Sequence, residues 1–159
     1  MYRLSHGVLE VLLVHPGGPF WKNKDSGSWV VPRGAVEEDE DIFAAAQREF
    51  NEETGLVSSE PFIDLGEVKH RSSKRIRVWA FEGECDPETI KSNTFEMEWP
   101  PKSGKLEAFP EIDKAGFFRL SEARKKMLES ETPFLERLAK HFPADALGKD
   151  DLPPETLFG

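Results

Sequence analysis

The sequence has little of several features that would place it in a specialised class of protein. It holds a single cysteine, Cys85, among 159 residues, which excludes an internal disulfide framework and offers no cysteine spacing for a metal site. The apolar runs, such as the one around Val11–Val14, are too short to cross a membrane, and the residues after Met1 form no signal-peptide pattern. We therefore expect a cytoplasmic protein that has no membrane partner.

Positive charge is also scarce. The chain has 21 Lys and Arg against 30 Asp and Glu, a formal net charge of -9. This balance disfavours long nucleic-acid tracts as partners, although a metal-loaded site can still accept a small polyphosphate. With 38% apolar residues, the length suffices for one domain with a proper core, which we place at residues 1–142. Residues 143–159 are expected to form a frayed or draped tail, and the oligomeric state stays open.

Apolar periodicity predicts strands that alternate with helices, which indicates an α/β protein with a mixed sheet covered on both faces. Residues 85–110 show no clear periodicity and are too long for an idle connection, so we interpret them as a lid or a binding loop. The predicted strands are 8–14, 28–31, 62–68, 76–81 and 115–119, of which the third and fourth form a hairpin. The predicted helices are 40–54, a second that runs from a Ser121 cap to about 130, and a third from Thr132-Pro133 to near His141.

Residues 34–56 carry charged residues and glycines in a fixed order. Asp39 or Asp41 can cap the start of the helix. Acidic residues crowd its first turn, where the helix dipole favours them, and Gly55 supplies the left-handed residue that ends the helix. The order is Gly34, five residues, Glu40, seven residues, and then Arg48-Glu49-Phe50-Asn51-Glu52-Glu53-Thr54-Gly55-Leu56.

At about 100° per residue, Glu49, Glu52 and Glu53 share one face of that helix, beside an apolar stripe suited to docking on a sheet. Such close like charges repel unless a cation sits among them, and hard oxygen ligands suit Mg²⁺ or Mn²⁺. A solvated acidic face is the alternative. It would explain neighbouring acids such as Glu37, but not the spacing of Glu40 and Arg48 beside a terminating glycine.

This spacing is that of the Nudix box, and the chain resembles Nudix hydrolases over roughly residues 4–142. The resemblance implies a Nudix-type α/β/α sandwich. It also implies that water attacks a phosphorus of a nucleoside diphosphate linked to a moiety X, with divalent metal. Members of the family usually have a complete strand before the one at 8–14, whereas here Met1 falls near its end, so a truncated start or a missing partner segment stays open.

The resemblance assigns metal-binding roles within the box. Glu52 and Glu53 match the main metal ligands, and Glu49 matches a ligand or a base. Gly34 matches the position whose main-chain carbonyl can bind the metal. A carboxylate near such a metal can accept the proton of the attacking water.

Other positions of the box are assigned supporting roles. Arg48 would pair with glutamates and orient the carboxylates, and Glu40 would hold the loop and the helix together. Asp39 stands where a glycine is common in the family, and aspartate tolerates unusual turn geometry.

The substrate is suggested by residues outside the box. Pro32-Arg33-Gly34 resembles the Pro-Lys-Gly form of dinucleoside and inositol polyphosphate hydrolases, and Arg33 can fork onto phosphate oxygens. The basic segment between the hairpin strands either extends that phosphate site or carries ordinary solvated charges. Its members are Lys69, His70, Arg71, Lys74 and Arg75. Trp21, Trp99 and Phe109 can stack on a base or act as filler.

Glu111 is a candidate outside the box. Similar enzymes place a glutamate in the loop before the final strand, and Glu111 stands seven residues ahead of Phe118. It would accept the proton of the attacking water or bind a second ion. An exposed loop glutamate without a role is the alternative, and Glu96, Glu98 and Glu107 are its rivals.

The leading interpretation is a metal-dependent pyrophosphohydrolase that acts on diadenosine polyphosphates. A pyrophosphatase for ordinary or damaged nucleoside triphosphates is the second. A nucleotide-binding regulator that has a Nudix fold but no turnover is the third, although it would have no chemical need for every carboxylate.

Overall fold

The computed structural model describes residues 1–34, 37–70 and 73–148. Short 3₁₀ turns lie at Pro87–Thr89, Glu129–Glu131 and Ala144–Ala146. The strands of this part of the chain are β1 (Tyr2–Ser5), β2 (Val8–Pro16), β3 (Phe62–Lys69), β4 (Arg75–Phe81), β5 (Thr94–Glu98), β6 (Leu106–Pro110) and β7 (Ile112–Arg119). Its helices are α1 (Ile42–Thr54), α2 (Leu120–Lys126) and α3 (Pro133–Ala139).

The central sheet has the order β1-β2-β7 and is antiparallel throughout. β1 and β2 are joined by a tight turn in which His6 and Gly7 both have positive φ, the geometry that matches the twist of two paired strands. A parallel bridge between Tyr2 and Glu82 links this sheet to the antiparallel pair β3-β4. The pairing is therefore mixed, as predicted.

Alternate side chains of β2 point to two separate cores. Leu9 and Leu13 belong to a cluster that includes Phe134 and Leu138 of α3, whereas Leu12 packs with Phe50 of α1. Each fully buried leucine stabilises the fold by roughly 1.5–3 kcal/mol. With α1 on one face and α2 and α3 on the other, the chain forms the expected α/β/α sandwich.

Helix α1 begins and ends where its caps dictate. The Asp41 side chain accepts a hydrogen bond from the Ala44 N–H, so Asp41 is the cap and the helix begins at Ile42 rather than at 40. Gly55 ends it at φ 76°, and its N–H donates to Asn51 O. The expectation of acidic residues in the first turn is wrong, because that turn reads Ile-Phe-Ala. Asp39 has φ 61°, the unusual turn geometry that was expected of it.

The β3-β4 hairpin packs one face against α1 through aromatic rings. Phe43 of α1 lies 4.9 Å from Phe62 and 5.0 Å from Trp79, measured between ring centroids. Further along the same helix, Phe50 lies 5.1 Å from Phe81. The helix is thereby fixed against the sheet beneath its carboxylate face.

Residues 94–110 form a two-stranded ribbon, β5-β6, rather than an irregular loop. The neck of the ribbon is closed by hydrogen bonds from Glu111 N to Asn93 O and from Ile112 N to Ser92 Oγ. The ribbon leads directly into β7, which begins at Ile112 rather than at 115.

Three local predictions are wrong. Residues 28–31 make only isolated bridges, from Val30 to Val14 and from Trp29 to Met127, because this short segment lies between a turn and the loop before α1. Helix α2 ends at Lys126, and Ser121 does not cap it, since the helix already begins at Leu120. The Thr132 hydroxyl donates backwards to Glu129 O instead of capping α3, which ends at Ala139.

The first residues of the predicted tail pack onto the domain. Ala146 is buried, and Leu147 packs against the larger core cluster. Residues 149–159 lie outside the described part of the chain. Within the described part, no helix combines the length and the apolar character needed to cross a bilayer.

Candidate active site

The last two turns of α1 present its carboxylates next to the segment that precedes the helix. The Arg33 main-chain N–H donates to Glu53 Oε2 at 2.9 Å. The pKa of Glu53 is raised from 4.5 to about 7, mainly by burial. The Arg33 N–H opposes this shift, and the charges of Glu49 and Glu111 add to it. A half-buried carboxylate that is repelled by two others is one that a cation would stabilise.

Gly34 lies directly against Glu49. A Cβ built on Gly34 would lie 1.9 Å from Cδ and 2.1 Å from Oε2 of Glu49. The site therefore needs glycine because no larger residue leaves room for this carboxylate. The carboxylates of Glu49 and Glu53 offer hard oxygen atoms, the kind of donor that suits Mg²⁺ or Mn²⁺.

Arg48 binds the glutamates around it. Its Nε and Nη2 donate to the two carboxylate oxygens of Glu40 at 2.7 and 2.8 Å, and Nη1 donates to Glu49 and Glu52 at 2.9 and 3.1 Å. The Glu37 N–H also donates to Glu40 at 3.0 Å. Arg48, followed by this N–H, lowers the pKa of Glu40 to about 2. Through these contacts Arg48 and Glu40 join the loop to the helix.

Glu52 lies at the edge of the carboxylate group. Its side chain is 45% exposed, and its partner in the described structure is Arg48. Among the described residues, no three acidic, histidine or cysteine side chains are arranged so that they could hold a metal ion. Arg48 Nη1 donates to both Glu49 and Glu52 and so links these two carboxylates.

Glu111 lies near this group although it is distant from the box in sequence. It is exposed at the junction of β6 and β7, and its charge acts on Glu53. The Gly17 N–H donates to Glu111 O at 2.9 Å.

The buried ring of His15, which sequence reasoning missed, contacts Asp113 Oδ1 at 2.7 Å and Lys24 O at 2.6 Å. This pairing of β2 with β7 fixes the position of Glu111.

A cleft of about 210 Å³ lies between α1 and β4. Aromatic residues such as Phe43 and Trp79 line its interior, and it also reaches Gly34 and two of the predicted basic residues, Arg33 and Arg75. The side chain of Arg75 is 75% exposed, and its Nη1 lies 3.8 Å from Oε2 of Glu67. The cleft therefore extends from the Arg33-Gly34 segment to the base of the basic hairpin tip.

The other basic residues of that tip are at its surface. Lys69 and Lys74 are exposed, and the His70 N–H donates to Lys74 O at 2.7 Å. Arg71, which was predicted with them, lies outside the described residues.

Of the three aromatic candidates, Trp99 and Phe109 belong to the ribbon, and Trp21 lies in the loop after β2. Trp99 makes an edge-to-face contact with exposed Phe20 at 5.8 Å between ring centroids. Phe109 faces Phe95 within the ribbon, and Lys24 lies over the ring of Trp21. None of the three is among the residues that line the cleft.

One further acidic residue takes part that the sequence did not suggest. Glu131, in the 3₁₀ turn before α3, is completely buried and accepts a hydrogen bond from Arg33 Nη2. The guanidinium predicted to bind phosphate is thus held by a carboxylate, with 32% of the Arg33 side chain exposed. A contact between residues 98 apart leaves no local pattern in a sequence.

Known proteins share parts of this sequence and its fold. A family model described as NUDIX domain matches residues 4–138. An RNA pyrophosphohydrolase of Caulobacter vibrioides is 42% identical over 55 residues, which are 31% of this chain and 32% of the relative. The match thus spans about a third of the length of that curated relative.

Two solved structures have the same fold. A C. elegans Ap4A hydrolase superposes with a TM-score of 0.59 at 19% identity, covering 88% of this chain and 92% of that one. The NUDIX domain of Shewanella oneidensis NrtR, solved with ADP ribose, gives 0.58 at 14% identity over 88% and 82% of the two chains. With the family match over residues 4–138, these likenesses lead to one conclusion: the chain belongs to the Nudix family.

Proposed function

We propose that the protein is a divalent-metal-dependent pyrophosphohydrolase that cleaves a phosphoric anhydride bond of a nucleotide. The observation that carries this proposal is the meeting of the Arg33-Gly34 main chain with the carboxylates of Glu49 and Glu53. A second carboxylate-bearing segment, at Glu111, acts on the same group. Membership in the Nudix family and the name of the Caulobacter relative, an RNA pyrophosphohydrolase, support the same reaction class.

The cation would be held by Glu49, Glu52, Glu53 and the main-chain carbonyl of Gly34. When bound, Mg²⁺ or Mn²⁺ neutralises phosphate charge and makes water a stronger nucleophile. The chain supplies the geometry. Arg48 orients Glu49 and Glu52, and the Arg33 N–H orients Glu53.

Glu111 is the residue to which we assign the general base. Its charge acts on Glu53, yet it is exposed and belongs to a different element. It can therefore face water without sharing the helix face with the other carboxylates. Its main chain is hydrogen-bonded on both sides, to Asn93 and to Gly17. A base held in this way keeps a fixed distance to the reacting water.

The leading substrate class is a dinucleoside polyphosphate such as diadenosine tetraphosphate. The cleft supplies aromatic walls for a base, and exposed Arg75 and Lys74 at the hairpin tip supply charge for additional phosphates. The second candidate is an ordinary or damaged nucleoside triphosphate, which would need fewer of these cations. Trp99 contacts Phe20 edge to face outside the cleft, so a role for it requires a substrate long enough to reach the ribbon.

A panel of nucleotides tests the function. Purified protein with saturating Mg²⁺ would be assayed on diadenosine tetraphosphate, ATP, oxidised nucleoside triphosphates, ADP-ribose and 5′-triphosphorylated RNA. We expect the highest kcat/KM on diadenosine tetraphosphate, with all activity lost in EDTA. Equal values on ATP would favour the second candidate.

A nucleotide-binding regulator is distinguished by the same panel. It would bind one of these compounds in calorimetry with wild-type affinity in Glu53→Gln, and it would release no product from any of them over hours. That result would overturn the proposed hydrolysis.

A further inference from the structure

Glu131 is a buried acid whose place in the fold is not explained by stability. Its side chain is completely inaccessible, and Oε1 binds the Arg33 guanidinium while Oε2 has no hydrogen-bond partner among the described residues. Replacing such a buried ion pair with apolar residues is often neutral or stabilising, so an ion pair of this kind is weak evidence for a structural role.

Arg33 connects Glu131 to the carboxylate site through one residue. The Arg33 guanidinium is held in place by its hydrogen bond to the buried Glu131. The main-chain N–H of the same residue donates to Glu53 at 2.9 Å. The next residue is Gly34, which lies against Glu49. A displacement of the Arg33 side chain would therefore displace two main-chain contacts, that of Arg33 N–H with Glu53 and that of Gly34 with Glu49.

The 3₁₀ turn that carries Glu131 is itself firmly held. The Glu131 N–H donates to Leu128 O at 2.9 Å, and the Leu128 N–H donates to Trp29 O at 3.3 Å. Phe134 and Leu135, which follow directly, are buried in the larger core cluster. The turn is thus a rigid support on the side of the sheet opposite α1.

We propose that Glu131 is a positioning residue of the hydrolytic site: by holding the Arg33 guanidinium it fixes the Arg33-Gly34 main chain against Glu53 and Glu49, and so sets the affinity of the site for the divalent cation. This inference rests on the proposed function. Residues that orient metal ligands typically contribute about 10- to 100-fold in metal affinity or activity. Removal of Glu131 is expected to cause a loss of that size.

The test measures metal binding directly as well as turnover. Mn²⁺ affinity would be measured by electron paramagnetic resonance, without substrate, on wild type, Glu131→Gln, Arg33→Met and the double variant Arg33→Met/Glu131→Met. We expect each single variant to bind Mn²⁺ about 10- to 100-fold more weakly. The double variant should be no weaker than either single one, because both remove the same connection.

Glu129→Gln is the matched control, since Glu129 belongs to the same turn but is exposed. It should bind Mn²⁺ and turn over substrate like wild type. In Glu131→Gln, kcat at limiting Mg²⁺ should fall and recover in part at high Mg²⁺, while KM for the nucleotide changes little. A purely structural role would lower the unfolding temperature and leave the Mn²⁺ affinity of the folded protein unchanged, which would overturn the inference.

The double variant covers the case in which Glu131→Gln does not fold, because two apolar side chains can replace the buried pair. Wild-type Mn²⁺ affinity in the folded double variant would refute the role of Glu131. If wild type itself neither binds Mn²⁺ nor hydrolyses any nucleotide, the proposed function fails and the inference fails with it. If wild type is active and the variants bind Mn²⁺ as tightly as wild type does, the inference is refuted while the proposed function stands.

Discussion

The Arg33 main-chain N–H donates to the Glu53 carboxylate across 20 residues of sequence. The donor belongs to the segment before α1, and the acceptor lies in its last turn. Because the donor is a main-chain group, substitution of the Arg33 side chain does not delete it but can only displace it. The alignment of these two residues therefore depends on what holds the segment as a whole.

Glu53→Gln should keep the fold and remove most of the activity. The amide retains the size of the side chain but loses the charge that a cation requires, so we expect kcat/KM to fall by at least about two orders of magnitude. Steady-state kinetics at saturating Mg²⁺, with circular dichroism as a fold check, measures this. Glu38→Gln, an exposed acid of the loop before α1, is the control. Wild-type turnover in Glu53→Gln would remove Glu53 from the metal site.

Gly34→Ala should impair activity more than stability. The added Cβ would overlap Cδ of Glu49, and the flexible side chain would swing away rather than unfold the domain. We expect the unfolding free energy to change by less than about 1 kcal/mol, while the Mg²⁺ concentration for half-maximal activity rises about tenfold or more. Adding Glu49→Ala relieves the overlap and should restore any lost stability without restoring activity. Unchanged Mg²⁺ dependence in Gly34→Ala would contradict the described contact.

Glu40→Gln should destabilise the protein in a pH-dependent way. The pKa of Glu40 is lowered from 4.5 to about 2 by Arg48 and the Glu37 N–H. Its ionised form therefore contributes stability that is fully present above pH 4.5 and is lost as the pH falls through about 2. Urea midpoints of wild type and Glu40→Gln should differ at pH 7 and approach each other toward pH 2. A difference that does not depend on pH would show that Glu40 acts through packing.

Glu111→Gln should lower kcat and leave KM nearly unchanged if Glu111 is the base. The expected loss is about 10²- to 10⁴-fold, the usual contribution of a positioned general base. Glu96→Gln and Glu98→Gln on the exposed edge of β5 serve as comparisons and should stay active. A fully active Glu111→Gln beside an inactive Glu96→Gln or Glu98→Gln, across the pH range, would place the base on the ribbon.

Lys74→Ala and Arg75→Ala should discriminate between substrates. Each removes an exposed charge at the hairpin tip, which a longer phosphate chain can reach. We expect kcat/KM for diadenosine tetraphosphate to fall about tenfold, with a smaller change for ATP, and the difference to shrink at high salt. Lys91→Ala, at another exposed lysine, is the control. Equal losses on both substrates would leave the longer polyphosphate without support from this hairpin.

The parts of the fold that local chemistry determines were predictable. Helix α1 follows from its Asp41 cap, its apolar stripe and Gly55, and the β3-β4 hairpin follows from its apolar runs. The Nudix family and the α/β/α fold are confirmed. The roles of the individual glutamates stay predictions, although the structure does bring Glu49, Glu53 and Glu111 into one electrostatic group.

The parts that long-range contacts determine were not predictable. The ribbon has alternating residues at Thr94–Glu98, but most of its side chains are exposed, so no buried face marks it as a strand. Residues 28–31 have the composition of a strand and lack a neighbour to pair with along their length. The pairing of Glu131 with Arg33 arises only when the layer that holds α3 packs against the sheet.

The closed neck of the β5-β6 ribbon makes its tip a place for insertion. Hydrogen bonds from Glu111 to Asn93 and from Ile112 to Ser92 fix the base of the ribbon, so the chain beyond them can change length at a small entropic cost. The turn between Pro100 and Lys105 is exposed throughout. A peptide tag or a fluorophore-bearing loop placed there should leave Glu111 undisturbed and give a reporter on an active enzyme.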